Sequence, residues 1–118
     1  MGDSPLHLAL KHGHKKVTEL LLRNGANPNL ANDEGLTPLH FICQNKKNRF
    51  ECKNEVAELM NLFFTINDER HQPVQVDAKD QLGLTPIQWA VANLLPSAIH
   101  ILLNHGAYLS EFVFPRAS

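Results

Sequence analysis

Three stretches of the chain repeat one order of polar and apolar positions. They are Ser4-Pro5-Leu6-His7-Leu8-Ala9-Leu10, Thr37-Pro38-Leu39-His40-Phe41-Ile42-Cys43 and Thr85-Pro86-Ile87-Gln88-Trp89-Ala90-Val91. Each sets a hydroxyl residue and a proline ahead of an apolar run. The hydroxyl can accept from the free N–H groups of a helix start, and proline's fixed φ suits the first helical turn. Apolar residues at helical spacing (Leu6, Leu8 and Ala9; Leu39, Phe41 and Ile42; Ile87, Trp89 and Ala90) predict one buried face per helix. In the first unit Gly13-His14 ends that helix. A second follows over residues 15–24, with Val17, Leu20, Leu21 and Leu22 as its apolar stripe. Gly25 stops it, and a short extended arm leads to the next unit.

Two landmarks fix the register. The helix starts at Ser4 and Thr37 lie 33 residues apart, and those at Thr37 and Thr85 lie 48 apart. The Gly-Ala pairs at Gly25 and Gly106 are separated by 81 residues, which equals one ordinary and one enlarged spacing. The middle unit therefore carries about 15 extra residues. Aligning Leu62-Phe63-Phe64 with Leu20-Leu21-Leu22 places about nine of them between the two helices, in Phe41–Asn54, and the rest in residues 67–74. Asn67-Asp68 then replaces the missing Gly-Ala turn, a conformation Asn and Asp tolerate.

A unit of turn, helix, turn, helix and arm, with Thr-Pro-Leu-His at the first helix, resembles the ankyrin repeat. The likeness rests on Ser4-Pro5-Leu6-His7, Gly13-His14, Leu20-Leu21-Leu22, Gly25-Ala26 and Asn29, and recurs at both ends of the later units. It implies an all-α, helical-hairpin repeat solenoid: one domain over 1–118, with units near 2–34, 35–82 and 83–110. Residues 111–118, with Phe112, Val113 and Phe114, are expected to cap the last helix pair. His40 is expected to hydrogen-bond backbone between units, and His7 is its counterpart in the repeat motif. Leu94-Leu95, apolar where a polar turn belongs, are expected to pack against the tail or the neighbouring unit, with an exposed patch as the alternative. Unit one begins at its Gly without a preceding arm, which fits a fragment of a longer array.

Composition narrows the function. The 118 residues are 43% hydrophobic and 19% charged, with a formal net charge of −1, so there is no global field favouring nucleic acid or anionic membrane. No apolar run approaches the ~20 residues of a membrane span, and the N-terminus lacks a signal-peptide plan. A soluble, monomeric protein of the cytoplasm, or of the nucleus, is expected. Two cysteines are too few for a secreted disulfide scaffold.

Candidate chemistry is sparse. His40, Cys43 and Cys52, with His71 further on, lack the paired spacing of a zinc site, and a Cys43–Cys52 disulfide is disfavoured in a reducing compartment. No catalytic triad, phosphate loop or carboxylate pair emerges, so no enzyme and no cofactor are expected. Lys46, Lys47 and Arg49 beside Phe50 form a basic loop that could touch a charged partner or nucleic acid. A solvated loop is the reading preferred, with Phe50 folding back toward Phe63 and Phe64. Asn29 resembles arm asparagines that are hydroxylated in other ankyrin repeats, although Pro28 departs from that pattern; a role in holding the arm is expected instead.

What remains is binding by surface. The resemblance implies that another protein is held along the arm tips and inner helices. Carried over by position, the tips are Asp33, Glu34 and Leu36, then Gln81, Leu82 and Leu84; the inner-helix ends are Lys11 and His12, Gln44 and Asn45, and Ala92 and Asn93. Leu36, Leu82 and Leu84 are the expected interface core, because apolar residues at arm tips serve the fold little. An inhibitor, a scaffold and a targeting module all fit such a domain.

Overall fold

The computed structural model describes residues 2–44 and 53–107, with side chains from 56 onward in the second segment. It contains α1 (Pro5–Lys11), α2 (Lys15–Arg23), α3 (Pro38–Cys43), α4 (Lys53–Glu69), α5 (Pro86–Ala92) and α6 (Pro96–Asn104). No strand occurs among the described residues. The helices form three antiparallel hairpins, α1/α2, α3/α4 and α5/α6, stacked side by side. The short helices α1, α3 and α5 make an inner row; α2, α4 and α6 make an outer row.

The inner helices start alike because their sequences start alike. Proline stands at the first helical positions, and the third helical residue reaches back to the hydroxyl residue's N–H. The acceptors are His7 Nδ1 at 2.9 Å, His40 Nδ1 at 3.0 Å and Gln88 Oε1 at 2.8 Å. The core is a ribbon through the stack rather than a ball. Leu6, Leu10, Leu39, Ile42, Ile87 and Ala90 come from the inner row, and Val56, Leu59, Met60, Phe63, Phe64 and Ile66 from α4. Phe64 also stacks on the His105 ring at 3.8 Å, tying α4 to the end of α6. Outer-row ion pairs, Arg23 with Glu69 at 3.1 Å and Lys15 with Glu58 at 2.6 Å, are solvated and contribute little.

Four expectations change. Leu8, Val17 and Leu20, expected on apolar faces, stay exposed, because among the described residues the first hairpin has a neighbour on one flank only. Leu95 is buried as expected; Leu94 is 76% exposed and takes a positive φ of 56°. Asn67-Asp68 does not turn the chain: α4 runs through both, and Asn67 donates to the Phe63 carbonyl within the helix. The left-handed residue is His71, with Gln72 N–H bonded to the Asn67 carbonyl as Ala26 N–H is to that of Leu21. That turn follows Gly25 by 46 residues rather than 33, so thirteen of the extra residues precede it and two follow. Finally, the C-terminal cap, the Phe50 packing and Cys52 lie outside the described residues.

Candidate partner-binding groove

The groove is built from two arm tips, the C-terminal end of α3 at Gln44 and the middle of α5 at Trp89. At the second tip Asn32 Oδ1 accepts the N–H groups of Glu34 and Leu36, at 2.9 and 3.0 Å. At the third, Asp80 Oδ1 accepts those of Leu82 and Leu84, both at 2.9 Å. One side-chain oxygen thus folds each tip around its glycine. The tips are joined by Gln81 N–H donating to the Glu34 carbonyl at 2.8 Å. Gly35 makes this approach feasible: its φ is 78°, and a Cβ there would lie 2.9 Å from the Gln81 nitrogen.

Histidines lock the tips from below. His7 Nε2 meets the Leu30 and Leu36 carbonyls at 2.9 and 3.1 Å; His40 Nε2 meets the Leu84 carbonyl at 2.9 Å. In each ring Nδ1 accepts a backbone N–H, so Nε2 carries the proton and donates. Both rings therefore bond backbone between arms, as expected for His40. Burial lowers the pKa of His40, with the Leu84 carbonyl and Asp80 opposing the shift.

Beneath the joined tips lies a cavity of about 280 Å³ lined by Glu34, Leu36, Gln44, Asp80, Gln81, Leu82 and Trp89. Trp89 is the chain's one tryptophan. Its indole N–H donates to Asp80 Oδ2 at 2.8 Å, which fixes the ring in the wall and leaves its faces for packing. Leu82 stands 73% exposed on the rim.

The expected residues divide sharply. Glu34, Leu36, Gln44, Gln81 and Leu82 come together here. Leu36 is not an exposed contact: at 9% exposure it belongs to the core, with its carbonyl held by His7. Leu84 is half-buried and is held in the same way by His40. The residue after the tip glycine points inward and the one before it points out, so Leu36 and Leu84 differ from Leu82. Asp33 lies over Gly2, where a Cβ would be 2.8 Å from its Oδ1. Lys11, His12 and Ala92 are exposed but do not line the cavity, and Asn93 is spent on the Cys43 carbonyl at 2.8 Å. Asn45, Lys46, Lys47, Arg49 and Phe50 lie outside the described residues.

Trp89 and Asp80 were missed as site residues. The available signal was positional: Trp89 occupies the register position of Leu8 and Phe41, and Asp80 that of Asn32. Asn29 bridges two arms, donating to the Pro73 carbonyl and accepting from Gln75 N–H, each at 2.8 Å. Cys43 is fully buried and its thiol pKa is raised by that burial. No group of metal-ligating side chains gathers among the described residues. None of the described helices is long and apolar enough to cross a membrane.

A family model described as ankyrin repeats (3 copies) matches residues 6–112. The human transient receptor potential cation channel subfamily A member 1 is 30% identical over 90% of this chain, which spans 8% of that protein. Mouse Rabankyrin-5 is 28% identical over 95% of the chain and 8% of its own length. A palmitoyltransferase, AKR1 of Lachancea kluyveri, is 29% identical over 76% of the chain and 11% of its own. The chain thus spans about a tenth of each of these relatives. With the repeat register, the stacked hairpins and the matched family model in agreement, the chain belongs to the ankyrin repeat family.

Proposed function

We propose that this domain is a non-enzymatic interaction module that holds a partner protein in the groove between its second and third arms. Ankyrin repeats in general mediate protein–protein interaction. The observation that carries this particular surface is Leu82, a large apolar side chain exposed on the rim of a cavity walled by Trp89. A pocket with an apolar wall and a few fixed polar groups is the usual form of an interface centre. The arms are pre-bonded to each other and to the histidines below, so little ordering cost accompanies binding. The domain acts as a monomer in the cytoplasm or nucleus, as an inhibitor, scaffold or targeting element.

The test compares partner capture by the wild-type chain, Leu82→Glu and a control, Leu20→Glu, on the exposed flank of α2. A partner lost with Leu82→Glu and kept with Leu20→Glu supports the groove. Equal capture by both variants sinks it.

A further inference from the structure

The groove has a chemical bias as well as a shape. Its wall is apolar and aromatic, from Leu36, Leu82 and Trp89, while its ionisable groups are two carboxylates, Glu34 and Asp80. Asp80 is occupied by the Leu82, Leu84 and Trp89 donors. The Glu34 carboxylate has no cation beside it among the described residues and is exposed. The surroundings reinforce the sign. The arm segments 2–4, 24–37 and 72–85 carry Asp3, Asp33, Glu34, Asp77 and Asp80 against Lys79 alone.

An apolar wall beside a carboxylate that has no cation partner among the described residues matches one kind of side chain: a long aliphatic stem with a cationic head. We infer that the groove takes a lysine or arginine side chain of a basic peptide segment in the partner. The stem lies along Leu82 and the face of Trp89, and the head meets Glu34. This rests on the groove being the interaction surface and adds the chemistry of its occupant. An acidic or phosphorylated segment meets like charge there and is rejected.

Phage-displayed random peptides selected on the full chain provide the test. Selected sequences are expected to share an Arg or Lys beside apolar residues. A tryptophan-free synthetic version is expected to shift the fluorescence of Trp89. Glu34→Gln in the protein, or norleucine for the basic residue in the peptide, is expected to weaken binding about tenfold, with little further loss when combined. Glu34 is exposed, so its replacement leaves the fold intact. Selected peptides without a basic consensus that still depend on Leu82 overturn this inference and leave the groove standing. Peptides indifferent to both Leu82→Ser and Glu34→Gln overturn both readings. A selection that returns no peptide sensitive to Glu34→Gln overturns the inference as well.

Discussion

At the scale of single residues, two positions carry testable cost. Leu94 sits where the first unit has Gly13, and both adopt left-handed backbone, at φ of 56° and 69°. A branched side chain is strained there, and at 76% exposure it gains little packing in return. Leu94→Gly is expected to stabilise the domain by about 0.5–1 kcal/mol in urea denaturation, the relief of strain being partly offset by glycine's unfolded-state entropy. His40 is the second. Its Nδ1 is an acceptor in the fold, so a proton there removes the Thr37 bond. Its folded pKa is lowered from 6.5, so the unfolded chain binds the proton more readily. Its contribution is present above the unfolded value and is lost as the pH falls from there through the lowered folded pKa. The urea midpoint is expected to drop as the pH falls below about 6.5, and less steeply in His40→Gln. Gln88 already fills the equivalent place in the third unit, so glutamine preserves the cap.

At the scale of elements, the arms are joined more closely than the helices require. Gly35 and Gly83 have nearly the same φ, 78° and 81°, yet a Cβ meets Asp80 and Gln81 backbone at Gly35 and open space at Gly83. Gly83→Ala is expected to cost about 1–2 kcal/mol from strain alone. Gly35→Ala is expected to cost about 3 kcal/mol or more, because the neighbouring arm must also move. Thermal denaturation of the two variants isolates that contact.

The inner helices were legible in the sequence because proline, hydroxyl and apolar spacing all act locally. The turn after α4 was not. Asn67-Asp68 carries turn chemistry, but the apolar stripe of α4 packs between α2 and α6, and that tertiary contact extends the helix to Glu69. Leu36 was misplaced for a related reason: its direction follows from the hydrogen bonds of Asn32 and His7, which join distant residues.

At the scale of the molecule, each hairpin buries its apolar face only against its neighbours. Three units are about the minimum for a stable array. Urea unfolding followed by Trp89 emission and by helical circular dichroism is therefore expected to coincide in one transition. Phe63→Ala, in fully buried α4 core, is expected to shift both signals together by about 3–5 kcal/mol. Net charge of −1 concealed an arrangement visible only once the register was set. The arms are acidic, whereas the helix ends flanking the α1/α2 turn carry Lys11, Lys15 and Lys16. An average over the chain removed the sign that gives the groove its character.

The joints between units share one more property. His7, His40 and Asn93 each reach main-chain carbonyls of the next or previous unit, and Gln81 meets Glu34 main chain to main chain. A coupling made to the peptide backbone does not depend on which side chains the neighbour carries. Such a stack behaves as a set of interchangeable parts with a common socket. Copies can be duplicated, reordered or enlarged, as the second one has been, while each is free to change the surface it shows to a partner.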